Sequence, residues 1–527
     1  MIGKADRQMS FSDYWLLGKI SEVSYYHRLR TWVFNNLNEE MFQPLFSYYG
    51  RESISPVYTF TAMLIQFEKG YSDREMEEES RFDDRIKYAL TAPRDFDGID
   101  AVTLCDHRKR LFNSEIGKEI FIKTISQAKE VGLFNKDNLH IIDSFMIWGS
   151  CARQDTYTMI YQGIKMVLRF MKFYEMEDAS KKILKRTDYE ENIKKPKIAW
   201  ENEKEKAKLL EELVKDALSL VENIKTKKDI KDDLKKAIEL LERVALQDVE
   251  ITNDGHVKMI EGTAKDRIIS VVDDEMRHGR KTSSKLSDGY KAEIITGGEK
   301  GSVVVGIEVD GANIADGEHM SDLIEQSRRN GVDIDKLYGD CAYSDFEEIE
   351  KRKEEGTDFC IRVPEATNPS GGFSKEEFKI DLEKGTVECP NGHIKQFDTE
   401  KTQKHEQVTV KFRAEECNDC PLKDQCTKSK KGRTINIHPY EKEIQEQREY
   451  QKTDEFKEDY AKRPNVERNI SELTRHGGRK GRYRGKLKIR WQMIMVAINN
   501  NIKVIMKHIS KICNRQIKKG EVCPKTA

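Results

Sequence analysis

Apolar positions with helical spacing dominate residues 1–130 and predict several short helices there. Ser72 and Glu75 form a capping box that opens one of them. A further helix is expected at 100–113, with four polar or basic residues exposed: His107, Arg108, Lys109 and Arg110. Short helices that end in a basic one are typical of a helix-turn-helix DNA reader and also of an ordinary all-α domain with a charged surface.

Short apolar runs bounded by turn residues predict strands in the part that follows. A strand at 138–143 ends in an acid, and more strands are expected at 267–273, 289–296, 302–309, 334–340 and 357–363, with helices at 318–330 and 344–355. Three successive strands, then a helix and a strand that ends in Asp, is the order of a ribonuclease-H-like α/β fold. We therefore expect such a core over 131–363 plus 451–510, preceded by an all-α N-terminal domain.

Two insertions interrupt this predicted core. Between 201 and 250, 25 of 50 residues are charged, and leucines at helical spacing predict a hairpin of two helices with a break near 225–229. We place this helical insertion at about 160–260 and expect no chemistry in it. Residues 364–450 contain short strand-like runs and predict a β-rich insertion, whereas 453–510 return to helix and 511–527 form a C-terminal tail.

Composition excludes several classes of protein. The 527 residues include 92 Lys+Arg and 93 Asp+Glu, and no stretch approaches the 18 consecutive apolar residues of a membrane span. The first residues lack the apolar core of a signal peptide, so we expect a cytoplasmic protein. Its ten cysteines are too few for a disulfide scaffold of this length.

The balanced net charge hides a basic C-terminal region. Residues 470–527 hold 15 Lys+Arg and 2 Asp+Glu, and 475–490 hold eight basic residues and no acid. Such a density, with Tyr483 and glycines interleaved, is typical of a surface that binds nucleic-acid phosphates. A solvated basic face or a disordered tail is the alternative, but the apolar residues that follow predict a helix there.

Two acids stand where predicted strands end. Asp143 and Asp340 are candidates for Mg²⁺ ligands, because this hard cation prefers carboxylate oxygens. A single Asp at a strand end is more often a turn former or a helix cap. Two of them in this strand order favour a nuclease-type metal site.

A third acid belongs to a spaced motif. Tyr460, Arg463 and Glu467 fit the pattern Y-x2-R-x3-E. The chain thereby resembles the DDE transposases of bacterial insertion sequences, in the group whose catalytic core carries a β-strand insertion. Further stretches resemble that family along nearly the whole chain: 70–90 its helical N-terminal domain, 288–320 the segment between the first two acids, 389–426 its insertion, and 466–485 its final helix and basic loop.

The resemblance implies roles for particular residues. Asp143, Asp340 and Glu467 would form the metal-binding triad for two Mg²⁺ or Mn²⁺ ions. Tyr460 and Arg463 would position transposon-end DNA, Arg463 by a bidentate grip on phosphate. The remaining expected DNA contacts are basic: Arg475, Arg479, Lys480, Arg482 and Arg484.

Two departures from the family pattern concern the last helix. Pro464 cannot lie inside a regular helix, so we expect it at the first helical position, with Glu467 one turn in. The family has a Lys seven positions after the Glu, where this chain has Thr474, and the neighbouring Arg475 is the candidate substitute. The pair Asp273 and Asp274 is an alternative first acid, but the family's first acid precedes this segment.

Four cysteines are clustered in the predicted β-rich insertion. Cys389, Cys417, Cys420 and Cys426 have the spacing C-x27-C-x2-C-x5-C. Thiolates at this spacing in a cytoplasmic protein suit a tetrahedral structural Zn²⁺, with His393 as a possible replacement for one ligand. Reduced surface cysteines without a metal are the alternative.

These expectations combine into a functional hypothesis. The resemblance implies a DNA transposase that cleaves and transfers strands at insertion-sequence ends, by metal-dependent phosphoryl transfer. Its partners would be double-stranded DNA, namely the terminal inverted repeats and the target, bound by a homodimer associated with the bacterial nucleoid. An inactive transposase-derived DNA-binding protein and a hydrolytic nuclease of the same fold are the alternatives.

Overall fold

A computed structural model describes residues 1–5, 19–135, 138–176, 183–227, 229–262, 264, 266–282, 285–368 and 371–518. The structure is a mixed α/β protein. None of the described helices is long and apolar enough to cross a membrane.

Among the described residues of the N-terminal part, the α-helices are α1 (Tyr25–Asn36), α2 (Pro56–Lys69), α3 (Asp73–Phe82), α4 (Asp84–Leu90), α5 (Ala101–Phe112) and α6 (Ile116–Glu130). The predicted capping box is present at the start of α3. The Ser72 hydroxyl accepts from the Glu75 N–H at 3.2 Å, and the Glu75 carboxylate accepts from the Ser72 N–H at 2.6 Å. These contacts satisfy two of the helix's unpaired N–H groups.

The prediction of four exposed side chains on α5 is wrong for two of them. His107 and Arg108 are buried, whereas Lys109 and Arg110 are exposed. Arg108 forms a 2.6 Å ion pair with Asp73 of α3. His107 lies 2.7 Å from the Thr59 hydroxyl of α2. Both side chains therefore tie α5 to neighbouring helices and do not face solvent.

The central sheet has six strands: β1 (His140–Trp148), β4 (Arg277–Thr282), β5 (Lys285–Gly297), β6 (Val303–Gly311), β7 (Lys336–Gly339) and β8 (Asp358–Ile361). β5 pairs antiparallel with β1, β4 and β6. β7 is parallel to both β1 and β8. The sheet therefore runs β6–β5–β1–β7–β8, and β4 pairs with the first part of β5.

One predicted strand of this core is absent. Residues 267–273 have no regular secondary structure, although Ile268 and Ile269 are buried. Side chains supply partners for their backbone: Gln247 accepts from the Ile268 N–H and Gln154 from the Val271 N–H. Five of the six predicted strands are present, as are both helices, α10 (Met320–Arg329) and α11 (Phe346–Glu354).

The helical insertion follows β1 and has its own hydrophobic core. It contains α7 (Thr156–Phe173), α8 (Glu203–Lys225), α9 (Asp232–Leu246), β2 (Val249–Ile251) and β3 (Val257–Met259). The predicted break falls between α8 and α9. Leu209, Leu213, Leu234 and Leu241 are fully buried, so the helical spacing of the leucines identified the packed face.

The second insertion follows β8 and is built around a small core of Phe and β-branched residues. Its strands are β9 (Lys379–Asp381), β10 (Thr386–Glu388), β11 (Ile394–Gln396), β12 (Val408–Lys411) and β13 (Thr434–Ile437). β9 to β11 form one sheet, and β12 and β13 form another. Short helices accompany them: α12 (Thr399–Gln403), α13 (Ala414–Asn418), α14 (Lys423–Cys426) and, at its end, α15 (Glu441–Tyr450).

Three helices complete the described chain: α16 (Asp454–Tyr460), α17 (Asn465–Leu473) and α18 (Lys486–Lys518). The long helix α18 packs against α1, α2, α6 and β6. One continuous core accordingly includes Tyr26 of α1, Ile142 of β1 and Met506 of α18. The N-terminal helices and the sheet are thus joined through a shared interior.

Asn501 is a buried polar contact between α18 and the sheet. Its side chain is fully buried, accepts from the Val304 N–H at 2.9 Å and donates to the Val304 carbonyl at 2.9 Å. It also donates to the Thr124 hydroxyl of α6. Asn501 thus fixes the position of α18 against both β6 and α6.

We expect Asn501→Leu to lower the free energy of unfolding by roughly 2–4 kcal/mol, since each buried group left without a partner costs about 1–3 kcal/mol. Urea denaturation followed by circular dichroism measures the change. Asn500→Leu is the matched control, because the Asn500 amide reaches the Ser302 carbonyl only at 3.5 Å. Equal losses in the two variants would contradict the role of Asn501.

Candidate active site

Two of the predicted acids lie on neighbouring parallel strands. Asp143 is in β1, and Asp340 directly follows β7. Ile141 of β1 is paired with Tyr338 of β7, and the same register continued by two residues puts Asp143 beside Asp340. Adjacent strands are about 4.8 Å apart. The two carboxylates therefore start from neighbouring backbone positions.

The third acid, Glu467, lies at the start of α17, just after the turn that separates it from α16. Pro464 directly precedes α17, and Glu467 lies in its first turn. Proline suits the start of a helix, because a backbone N–H at that position would have no carbonyl partner within the helix. The break puts Arg463 in the turn, so Arg463 and Glu467 do not share one continuous helix.

All three acids face the guanidinium of Arg463. Its Nη2 lies 2.8 Å from Asp143 Oδ2 and 3.7 Å from Asp340 Oδ2, and its Nη1 lies 3.5 Å from Glu467 Oε1. The structure thus brings the three predicted acids to one point. The Arg463 side chain is only 15% exposed. In this arrangement the Arg463 guanidinium points at the acids and offsets their negative charge.

Burial is the main electrostatic influence on Asp143. It raises the pKa of this carboxyl to about 6, against the lowering effects of Arg463 and of the Ser144 N–H. That N–H donates to Asp143 Oδ1 at 2.8 Å. The negative charges of Asp340 and Asp316 raise the pKa further. The site concentrates negative charge in a poorly solvated place, which favours a bound cation.

A second row of polar residues supports Asp143 from β5. The Ser144 hydroxyl donates to Asp316 at 2.7 Å, and Lys291 Nζ lies 2.7 Å from the same carboxylate. Lys291 is buried and also donates to the Ile314 carbonyl. The sequence interpretation did not select these residues. The available signal for Lys291 was a lysine within the otherwise apolar pattern of β5.

Glu293 is the most buried acid of this region. It is directly opposite Ser144 in the sheet and 1% exposed. Neither of its carboxylate oxygens has a hydrogen-bond partner among the described residues. Burial raises the pKa of Glu293 to about 7, and Asp316 adds to the effect.

Tyr460, the first residue of the spaced motif, ends α16 and is half-buried against the core. Its ring stacks on Phe456 with 5.3 Å between centroids, and the Arg362 guanidinium lies 4.5 Å from its ring. These contacts hold the turn that carries Arg463.

The predicted basic segment lies beside the far end of β1. The Trp148 N–H donates to the Arg479 carbonyl at 2.9 Å, and the Gly481 N–H donates to the Trp148 carbonyl at 2.7 Å. Arg475, Arg479, Lys480 and Arg484 are exposed, whereas Arg482 is half-buried over the Phe67 ring. Thr474, which replaces the family's Lys, is half-buried beside Arg475.

Acids outside the segment 475–490 pair with some of its basic residues, although the segment itself contains no acid. Lys486 lies 3.2 Å from Asp310, and Arg490 lies 2.6 Å from Glu308. Both acids belong to β6, far away in the sequence. Arg475 also has an acid, Glu472, at 4.0 Å. Lys486 and Arg490 therefore anchor the start of α18 to the sheet.

The alternative first acid has a structural role in this fold. Asp273 is buried and accepts from the Tyr290 hydroxyl at 2.6 Å and from the Gly485 N–H at 3.3 Å. Asp274 lines a cleft at the helical insertion, together with Asp310 and Lys486. Neither Asp273 nor Asp274 is among the acids that contact Arg463.

The four clustered cysteines line one cavity together with His393. All four are free thiols. Burial raises the pKa of the Cys426 thiol, and the three other cysteines raise it further. Nevertheless, within the part of the chain that the structure describes, no three His, Cys, Asp or Glu side chains are arranged to hold a metal ion.

Comparison with known proteins gives two family matches. Residues 388–506 match the profile of the family described as "Transposase DDE domain". Residues 16–110 match that of "Transposase domain (DUF772)". Searches of curated proteins and of solved structures found no match. The first match spans the cysteine cluster, the Y-x2-R-x3-E motif and the basic segment.

Glu293 makes stability depend on pH. Its folded pKa of about 7 exceeds the ordinary 4.5, so the stabilisation from its bound proton is complete below about pH 4.5 and disappears as the pH rises through about 7. Above pH 7 the buried charge lowers the free energy of unfolding by up to about 3 kcal/mol, because each unit of pKa difference corresponds to about 1.36 kcal/mol. Glu293→Gln should therefore raise the melting temperature at pH 8.5 more than at pH 5.

Glu355→Gln is a control of opposite sign for this measurement. Ion pairs with Arg328 and Arg352 lower the pKa of Glu355, so its removal should destabilise the protein at pH 8.5. Thermal unfolding of both variants at the two pH values measures the effects. Equal shifts for Glu293→Gln at pH 5 and pH 8.5 would contradict the assigned cause.

Proposed function

We propose that this chain, which the two family matches identify as a DDE transposase of an insertion sequence, cleaves DNA at the ends of its element and transfers the freed strands to target DNA. The convergence of Asp143, Asp340 and Glu467 on one point carries this proposal. The strand order β6–β5–β1–β7–β8 supports it, because it is the order expected of a ribonuclease-H-like core.

The three acids suit Mg²⁺ or Mn²⁺ by the chemistry of their oxygens. They already surround one cation, the Arg463 guanidinium, so the site is built for positive charge. When bound, two divalent ions activate the attacking oxygen and stabilise the charge on the leaving oxygen. For the acids to hold them, Arg463 must withdraw. Its guanidinium is then available to grip a DNA phosphate.

Residues of the chain orient the acids for this task. The Ser144 N–H holds Asp143, while the Asp340 carboxylate accepts from the Ala342 N–H at 2.9 Å. Glu467 differs from these two because its side chain is 66% exposed. The site is therefore open on the side of α17, where a DNA strand can approach.

The DNA partner is supported by the exposed cations that follow α17. Arg475, Arg479, Lys480 and Arg484 are exposed and lie within one short segment. Such side chains bind backbone phosphates without regard to sequence. We assign to them the double-stranded ends of the element, bound by a homodimer. Tyr460 contributes by fixing the turn of Arg463.

We expect Asp340→Asn to abolish cleavage of DNA that carries the element's ends, because it removes a charged ligand oxygen without changing side-chain volume. Binding to the same DNA should stay within about twofold of wild type. A gel assay for nicks and joined products, with and without Mg²⁺, measures the effect and separates a transposase from a hydrolytic nuclease.

Asp358→Asn is the matched control for this experiment. Asp358 begins β8, and its side chain is 63% exposed. This variant should cleave normally. Cleavage that survives in Asp340→Asn would remove Asp340 from the site, and a wild-type protein that binds the ends without cutting them would be an inactive DNA-binding relative.

We also propose that the cysteine cluster binds a structural Zn²⁺. Four soft sulfur donors and His393 line a single cavity, which suits this ion by donor type and number. Among the described residues, the core of the insertion has seven buried apolar side chains, so a metal would add stability that this small core lacks. Binding requires the four side chains to close around the ion.

Purified protein should contain about one zinc per chain, and Cys420→Ser should lose it, because three thiolates hold the ion more weakly than four. Elemental analysis measures the content, and chelation should lower the melting temperature. Cys105→Ser, a free cysteine on α5, is the control that keeps its zinc. Zinc-free wild-type protein whose melting temperature is unaffected by chelation would exclude the site.

A further inference from the structure

A second basic surface lies on the other side of β1 from the segment 475–490. It is a cleft of about 510 Å³ over β4, β5 and the turn that follows β6. Among its described lining residues only Asp266 is acidic. Its cationic and histidine side chains are Arg153, Arg267, Arg277, His278, Arg280 and Lys291.

Most of these side chains are paired with acids, whereas two arginines have no acidic partner within the part of the chain that the structure describes. Arg267 and Arg277 pair with Asp248 and Asp266, and His278 and Lys291 pair with Asp288 and Asp316. Arg153 and Arg280 are exposed, and no acid contacts either of them among the described residues. The cleft therefore carries two free positive charges at its rim.

The cleft reaches the candidate active site through Lys291. This residue is directly opposite Met146 in the sheet, three residues along β1 from Asp143. Lys291, Asp316 and Ser144 are joined by contacts of 2.7 Å, and the Ser144 N–H holds Asp143. The inner wall of the cleft is thus two side chains away from the first acid.

Strand pairing relates the cleft to the segment 475–490. Lys480 is paired with Trp148, Trp148 with Gly289, and Gly289 with Arg277 of the cleft. Three strand spacings separate Lys480 from Arg277, which amounts to about 14 Å. Two basic surfaces therefore flank the end of the strand that carries Asp143.

We infer that this cleft binds backbone phosphates of the DNA that is cut, with Arg153 and Arg280 as the contacts, while the buried Lys291 holds the inner wall through its pair with Asp316. The inference rests on the proposed function and extends it to residues outside the basic segment. Arginine suits the task because its planar donors match phosphate oxygens. Duplex DNA held on both sides of β1 would be fixed over the three acids.

The test is the double substitution Arg153→Ala with Arg280→Ala, measured by fluorescence anisotropy on labelled duplex DNA over a range of salt concentrations. Each lost phosphate contact removes about 0.9 from the slope of log affinity against log salt, so we expect a slope about 1.8 less steep. Affinity at low salt should fall about tenfold. Both side chains are exposed, so the fold should be unaffected.

Arg329→Ala with Lys258→Ala is the matched control, since both residues are exposed and lie outside the cleft. It should leave the slope unchanged. A second reference replaces Arg479, Lys480, Arg482 and Arg484 by Ala, which should flatten the slope through the basic segment alone. An unchanged slope in the Arg153 and Arg280 variant overturns the inference.

Cleavage by the wild-type protein separates a failure of the cleft assignment from a failure of the proposed function. If wild type cuts element-end DNA while the Arg153 and Arg280 variant keeps its slope, only the cleft assignment fails. If wild type neither binds nor cuts such DNA, the proposed function fails and the cleft assignment with it. A reduced slope with cleavage lowered in proportion to binding supports both.

Discussion

The repulsion between three carboxylates at one partly buried point is the constraint on which the site depends. Burial alone raises the pKa of Asp143, and the neighbouring acids add to this cost. Arg463 offsets it, because one guanidinium contacts all three acids within 3.7 Å. Removing a positive charge from such a cluster destabilises the protein unless another positive charge takes its place. A metal ion held by these acids would therefore have to take the place of the Arg463 guanidinium.

That constraint explains the local chain path. A continuous helix from α16 to α17 would carry Arg463 and Glu467 one turn apart on the same face. Pro464 ends that possibility, and the turn before it directs Arg463 inward while Glu467 stays largely exposed. Tyr460 holds the turn through its stack on Phe456. The motif thus combines one structural residue, one counter-ion and one acid.

Features set by local sequence were predictable. The capping box at Ser72, the break at Pro464 and the strands that carry Asp143 and Asp340 each depend on neighbouring residues, so periodicity and turn chemistry were enough. The structure also brings together the acids that the spaced motif and the strand ends had suggested. The capping box, the break and the strands are cases in which a few adjacent side chains decide the conformation, whereas the convergence of the acids was expected from the family resemblance.

Features set by distant partners were not predictable. Arg108 is buried because Asp73 pairs with it, and Lys486 and Arg490 are anchored because β6 supplies two acids. The absent strand at 267–273 has the same origin, since Gln154 and Gln247 bind its backbone in place of a neighbouring strand. A basic or apolar pattern in a sequence does not reveal such partners, which lie from 21 to more than 180 residues away.

The long helix α18 joins the N-terminal helices to the central sheet. On one side Asn499 donates to the Leu64 carbonyl of α2, and two residues later Asn501 binds Val304 of β6. Trp491 contacts Phe67 and Phe112 of the N-terminal helices. The shared core packs those helices directly against the sheet. The N-terminal helices therefore have a fixed position relative to Asp143 and to the turn that carries Arg463.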